Sequence, residues 1–421
     1  MTIQKGYSKA IGDNLSLRIA KEGKDDLQRF ISFNLTIHQE ESLKKYVNRL
    51  YLEHPKKEAI YWIYIEENDS NQIVSSITLM PLEWNFNGIP IPICEMGLVG
   101  TLPNYRNRGL IGIMNDLYED IMRQEGYLFS VIRGIPYYYR RFGYEFALNL
   151  DERILVNKNL IPSINFEKIS FQKAIKQDIA FIKSIYNREQ EYFFIKNRFN
   201  SDNFMHKFMN DDFDNNFLST FLIQINGKPV SFFSIGVSYD NIAFTVIVPE
   251  VNEDIMIKIL QYVKTLDEEM DQIVLHVNSD TKFGQYICSI GGKKDKGYGW
   301  QIKIPNIKAL LHAISPILEQ RIEKSSYKGL SQDVIISDYR EIFTLRFNNG
   351  KIDEIEVNKG YPILEKCDLK IPGSILIKLL LSDKSFEEIK YVVKDSIIKL
   401  GSEELIKILF PKKPSIPNTY Y

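Results

Sequence analysis

The segment Arg106-Asn107-Arg108-Gly109-Leu110-Ile111-Gly112 puts two arginines and two glycines where an apolar run gives way to helical spacing. The first amides of a helix have no partner within it, and the helix dipole is positive at that end. Glycines let backbone approach a ligand closely, and arginines add forked, permanent charge. The chemistry this suits is binding a pyrophosphate, so a cofactor carrying one is expected. The sequence contains no G-x-x-x-x-G-K-[ST] loop, and no G-x-G-x-x-G stands between a strand and a helix. Neither a P-loop nor a dinucleotide fold is therefore expected.

Regular elements must hold this loop in place. Residues 89–101 read as a strand leading into it. Residues 112–124 follow as an amphipathic helix, with Ile113, Leu117, Ile121 and Met122 towards one face and Gly126 as its C-terminal stop. Residues 127–133 read as a buried strand. Upstream, residues 15–20 alternate like an opening strand, and residues 26–34 place Leu27, Phe30 and Ile31 on one helix face. Residues 59–65 and 73–79 form a hairpin about Asp69-Ser70-Asn71.

The arginine-first loop resembles the acetyl-CoA loop of the GNAT acetyltransferases, usually [QR]-x-x-G-x-[GA]. Here Ile111 holds the last motif position and Gly112 follows one place late. Downstream, Tyr139-Arg140-Arg141-Phe142-Gly143-Tyr144 resembles the Y-G-R-F-G-Y signature of the Eis-type (enhanced intracellular survival) acetyltransferases, with Arg140 in place of the first glycine. The resemblance implies an α/β (α+β) chain of tandem GNAT-like domains followed by a sterol-carrier-protein-like domain. It implies acetyl-CoA as cosubstrate and no metal. The cofactor would lie along Leu98, Val99, Gly100 and Thr101, on the loop residues Arg106 to Gly112 (Asn107, Arg108, Gly109, Leu110 and Ile111 between them), and against Gly134 and Ile135.

Acyl transfer from a thioester to an amine needs an amine that loses its proton, donors for the oxyanion and an acid for the leaving thiolate. By the resemblance, Tyr139 is that acid. A phenol with pKa near ~10 is a fair proton donor to a thiolate whose parent thiol lies near ~8.5. The resemblance also makes the C-terminal carboxylate the base, here that of Tyr421. The tail from Pro411 to Tyr421 contains three prolines and ends in two tyrosines, a composition suited to an anchored end. Glu95, on the cofactor strand, is the alternative base. It otherwise needs a structural partner, because a carboxylate in an apolar run must be paired. His38 reads more readily as a helix surface residue than as part of an acceptor site.

The middle of the chain repeats the element order without the loop. Residues 221–235 form a hairpin about Asn226-Gly227, residues 243–248 a strand and residues 255–266 a helix. At the start of that helix stand Glu250, Glu253 and Asp254 and no glycine, which would repel a pyrophosphate. From about residue 305 the pattern becomes a helix over 307–321 that Pro316 is expected to break, strands over 333–357, and helices over 374–381, 385–391 and 402–409. The division expected is a catalytic GNAT domain over 1–157, a degenerate second GNAT-like domain over 158–304, and a sterol-carrier-protein-like domain over 305–421 whose tail returns to the active site. That last domain is expected to be a structural partner rather than a lipid carrier.

Composition excludes some partners. In 421 residues, 53 Lys and Arg face 54 Asp and Glu, so no excess of positive charge favours nucleic acid or an anionic membrane. No apolar run reaches the ~20 residues of a membrane helix, and the N-terminus lacks a signal-peptide core. Cys94, Cys288 and Cys367 stand far apart in or beside apolar stretches and are expected to be reduced thiols of a cytoplasmic protein. The expected partner is an amine-bearing acceptor, either a small polyamine or aminoglycoside-like molecule or a lysine side chain. The resemblance further suggests a homo-oligomer, a hexamer in form. The competing function is a non-catalytic protein that keeps the CoA-binding fold and binds ligand without turnover.

Overall fold

The computed structural model describes the chain except residues 1, 22, 151, 190–191, 212–216, 238–243, 267–270, 278, 280, 295–296, 361–365 and 418–421. Three sheets organise it. The first begins with Ser8–Gly12, Leu15–Ile19, Tyr61–Glu67, Ile73–Phe86 and Ile89–Thr101, each antiparallel to the next. Phe129–Ile132 then joins Ile89–Thr101 in parallel. Helix Leu110–Glu125 makes that crossover, with Met114, Tyr118 and Ile121 buried against the sheet. Gly126 stops it at φ 76°, its N–H reaching Met122 O. Only a residue tolerant of the left-handed region ends a helix in this way without strain.

Strand exchange links the first two sheets. Gly299–Lys303, far along the chain, inserts between Phe129–Ile132 and Glu145–Asn149 in the first sheet. Glu152–Asn157 leaves for the second sheet, where it pairs with Gln272–Val277. The second sheet repeats the order of the first: the hairpin Ser219–Ile225 and Lys228–Val237, strand Phe244–Ile247, helix Glu253–Leu266, and Gln272–Val277 in parallel. Its helix opens with Glu253 and Asp254. The short strand Ile195–Asn197 returns to the first sheet and pairs with Trp84 to Phe86.

The third sheet comprises Asp333–Ser337, Glu341–Asn348, Lys351–Lys359, Leu369–Lys370 and Ile397–Ile398. One apolar cluster joins it to the first: Trp84, Phe86, Phe129 and Trp300 pack with Leu310, Ile314, Leu318 and Leu376. Pro316 does not break the helix as expected, for Ile307–Glu323 is continuous through it. An internal proline costs roughly 3 kcal/mol. Leu310, Leu311, Ile314, Ile317, Leu318 and Ile322 are all buried along this helix, and each such side chain contributes about 1.5–3 kcal/mol, so packing outweighs the lost hydrogen bond. Among the described residues no helix is long and apolar enough to cross a membrane, and all three cysteines are free thiols.

Candidate active site

The site begins where two parallel strands part. Ile89–Thr101 pairs with Phe129–Ile132 only at Ile93, Cys94 and Glu95, opposite Phe129, Ser130 and Val131. From Met96 to Thr101 this strand keeps its antiparallel neighbour on one side and, among the described residues, has no ladder on the other. Leu98 takes φ 49°, and the register slips between Ser76 and Thr78, so the strand bulges as it leaves its parallel partner. Two glycines fit their neighbours there: a Cβ on Gly97 would overlap Met80 Cε, and one on Gly100 would lie 2.8 Å from Ile37 Cγ2. Backbone amides and carbonyls opened in this way can pair with an extended amide-bearing chain such as pantetheine. A buried cluster stands at the split itself: Tyr118 Oη donates to Cys94 Sγ at 3.3 Å, and Tyr144 Oη to Ser130 Oγ at 2.8 Å.

At the end of that strand the basic loop turns into the helix. Asn107 has φ 62° and Gly109, the N-cap, φ 75°. No acidic residue stands in the first turn and no side chain caps it, so the leading amides remain available to an anion. The space beside Gly109 and Gly112 is open. Arg106, Asn107, Arg108 and Gly109 are exposed, whereas Leu110 is buried and anchors the helix start among Met114 and Leu117. Arg106 Nε reaches Thr101 O at 3.3 Å. Arg108 Nη2 reaches Asn104 O at 3.1 Å, and its guanidinium carbon lies 4.8 Å from the Tyr105 ring centre. Tyr105 Oη in turn donates to Glu67 at 2.7 Å. These residues fit a pyrophosphate: open amides, two positioned cations and no acid in the first turn of the helix.

Tyr139 lies on the other side of the split, in the turn Tyr138–Phe142. Its ring covers Gly134 so closely that a Cβ there would overlap Cδ2 and Cε2. Gly134 O is held by Tyr298 Oη and, at 2.7 Å, by Gln301 Nε2. The inserted strand Gly299–Lys303 and the residue before it thus fix the turn that carries Tyr139. Burial, and then Tyr138 and Tyr298 nearby, push the Tyr139 phenol above its ordinary pKa, so it is protonated near pH 7. Among the described residues none hydrogen-bonds its hydroxyl. Ile135 is 65 % exposed.

Glu95 is the last residue paired before the split. It is buried, and its Oε1 accepts from Arg133 Nε and Nη2 at 3.2 and 3.1 Å. The Arg133 guanidinium lies 5.9 Å from the centre of the Trp300 ring. Trp300 Nε1 donates to Pro417 O at 2.6 Å. The tail before Pro417 is tied down residue by residue: Phe194 N to Pro414 O at 2.8 Å, Ile195 N to Ser415 Oγ at 3.2 Å, and Ile416 N to Ile195 O at 2.9 Å. The tail therefore reaches Trp300, which adjoins the Arg133–Glu95 pair. Tyr421 itself lies outside the described residues.

A pocket opens on the Glu95 side of the sheet, lined by Tyr46, His54, Met80, Asn203, His206 and Lys207 among others. Two helices build it, Ser42–Leu52 of the first unit and Ser201–Phe208 from the middle of the chain. Arg49 binds them together: Nη2 to His206 O at 2.8 Å, Nη1 to Asn210 Oδ1 at 2.6 Å, and its guanidinium 3.7 Å from the Phe217 ring centre. The His54 and His206 rings meet edge to face at 5.5 Å. Burial foremost, then neighbouring cations, hold His54 down to about 3 and His206 to about 4, so both are neutral near pH 7. Burial pushes Tyr46 up to about 12. None of these residues stands out in the sequence, because no motif marks them and tertiary packing alone assembles them. His38 is not among the lining residues.

Residues 18–147 match the family model of the acetyltransferase (GNAT) domain. The chain carries a GNAT acetyltransferase domain and is an enzyme of that class. No curated protein matches the chain in sequence. Solved structures match nearly end to end. A probable N-acyltransferase from Enterococcus faecalis superposes with a TM-score of 0.70 at 13% identity, over 97% of this chain and 100% of the other. A GCN5-related N-acetyltransferase from Anabaena variabilis gives 0.67 at 14%, over 96% and 98%. Eis1 from Mycobacterium abscessus gives 0.59 at 11%, over 96% and 99%. At such identities the likeness is one of fold.

Proposed function

We propose that this protein transfers an acetyl group from acetyl-CoA directly to an amine. The observation that carries the reading is the strand pair Ile89–Thr101 and Phe129–Ile132, which parts after Glu95 and Val131 beside an acid-free, arginine-flanked helix start. Pantetheine would add along Leu98 to Thr101, and the pyrophosphate would rest on the amides of Gly109 to Gly112 with Arg106 and Arg108 beside them. The thioester would then lie at the split, between Tyr139 and the pocket of Glu95. Tyr139 would give its proton to the departing thiolate.

The base in this reading is the carboxylate of Tyr421. Its support is the anchoring of the tail as far as Pro417 against Trp300. Glu95 is the alternative base, although its Oε1 is already engaged by Arg133. The sterol-carrier-protein-like unit over 305–421 would act by delivering this tail, and the catalytic and degenerate units over 1–157 and 158–304 by closing the acceptor pocket between them. A homo-oligomer and a cytoplasmic setting belong to the same reading. The experiment is direct: acetyl-CoA with a panel of amines, monitored for free thiol, alongside calorimetry of CoA. Thiol release that depends on the amine supports the enzyme. Tight CoA binding without turnover of any amine would favour the binding-protein reading.

A further inference from the structure

The strand Gly299–Lys303 serves both faces of the first sheet. It lies between Phe129–Ile132 and Glu145–Asn149, and successive side chains of a strand point to opposite faces. On one face Trp300 packs with Trp84 and Phe129 and donates to Pro417 O. On the other, Gln301 is 1 % exposed. Its Nε2 donates to Gly134 O at 2.7 Å and to Tyr298 Oη at 3.2 Å. Tyr298 Oη donates in turn to the same Gly134 O. Lys303, two residues on, pairs with Glu119 of helix Leu110–Glu125. At the other end a Cβ on Gly299 would lie 3.0 Å from Leu148 O, so the strand sits tightly in its place.

Gly134 O thus accepts from two donors, the full complement of a carbonyl oxygen, and the peptide plane at Gly134 is fixed. The Tyr139 ring rests on that glycine so closely that a Cβ would lie 2.0 Å from Cε2. Any rotation of the peptide therefore moves the ring. We infer that Tyr298 and Gln301 are positioning residues, which hold the Tyr139 hydroxyl at the split by clamping the Gly134 carbonyl. The inference rests on the acetyl-transfer reading with Tyr139 as the acid. In this way a strand that follows the second sheet along the chain governs proton delivery in the first. Proton transfer is steep in distance, and a misplacement of ~1 Å can cost about 10²-fold in rate. Loss of one donor of the two displaces the ring by less, so the expected loss is nearer tenfold.

The test is a double-mutant cycle on the full chain, with acetyl-CoA and the best amine of the panel. Gln301→Met keeps the length of the side chain and removes its donors, and Tyr298→Phe removes the other donor. Each should lower kcat about tenfold while CoA affinity by calorimetry stays at the wild-type value. In a Tyr139→Phe background no phenol remains to be placed, and each should then lower kcat by less than about twofold. A loss that persists in full in that background, or a wild-type kcat in either single variant, would overturn the inference and leave the acid role of Tyr139 standing. A wild-type kcat in Tyr139→Phe itself, or no turnover by the unaltered protein, would be a failure of the underlying reading, and the inference would fall with it. If Gln301→Met does not fold, Tyr298→Phe decides alone, since it keeps the half-buried ring and its edge-to-face contact with Phe146. A loss masked by Tyr139→Phe then upholds the clamp, and an unmasked loss or none overturns it.

Discussion

The ring of Tyr139 lies directly on Gly134, at the first turn beyond the strand that parts from Ile89–Thr101. The relationship links a backbone position to a proposed acid. Gly134 O is clamped by Tyr298 and Gln301, so the glycine cannot yield, and any Cβ there must move the ring. Gly134→Ala should therefore lower kcat about tenfold or more while the protein keeps its fold, with Tm reduced by a few degrees, as overpacking costs about 1–3 kcal/mol. An alanine variant with full activity would show that the position of the Tyr139 ring does not matter.

Tyr139→Phe keeps the packing on Gly134 and removes only the hydroxyl. If the phenol protonates the thiolate, kcat should fall about 10²-fold, with CoA affinity and Tm nearly unchanged. A normal kcat would leave Tyr139 with a packing role alone.

The loop makes a separable prediction. Arg108 touches only Asn104 O and the Tyr105 ring among the interactions described, so its replacement should cost little stability. Arg108→Glu should weaken CoA binding at least tenfold, about 1.4 kcal/mol, by setting negative charge beside the pyrophosphate. Calorimetry showing wild-type CoA affinity in this variant would sink the cofactor assignment.

Local signals carried most of the cofactor half of the site. The strand over 89–101, the helix after Gly109 and its stop at Gly126 follow from spacing and from glycines that do take positive φ. The remainder depends on contacts remote in sequence. Gln301 meets Gly134 across 167 positions, and Arg49 meets Asn210 across 161. Gly299–Lys303 reads as any buried strand, and nothing in its side chains says that it inserts into the first sheet. The pocket histidines escaped notice for the same reason, for each is chemically meaningful only beside the other. Pro316 misled because its helix is held by burial on one face, which local propensity does not register.

Those histidines set a pH dependence. His54 and His206 are held to about 3 and about 4 in the folded protein, against about 6.5 in an unfolded chain. Between these values the unfolded state binds protons that the folded state does not, so stability rises with pH. The contribution is complete above about pH 6.5 and is lost progressively as pH falls towards 4. Tm should drop over this window, and the double variant His54→Gln, His206→Gln should flatten the slope. An unaltered slope would assign the acid sensitivity to other groups.

The identity of the base is testable at the tail. Trp300 Nε1 holds Pro417 O, and four residues follow to the terminus. If the Tyr421 carboxylate removes the amine proton, its position matters more than its side chain. Two glycines added after Tyr421 would carry it several Å away, since each extended residue spans about 3.3–3.6 Å. Activity should then fall severely, as it should on deletion of Tyr420 and Tyr421, with CoA affinity unchanged. Trp300→Phe, which releases Pro417 without touching the terminus, should give a partial loss in the same direction. Glu95→Gln weakens the pair with Arg133 and should cost less. The opposite pattern, a fully active extended protein and an inactive Glu95→Gln, would move the base to Glu95. Full activity in both would mean that the amine arrives neutral or loses its proton to water.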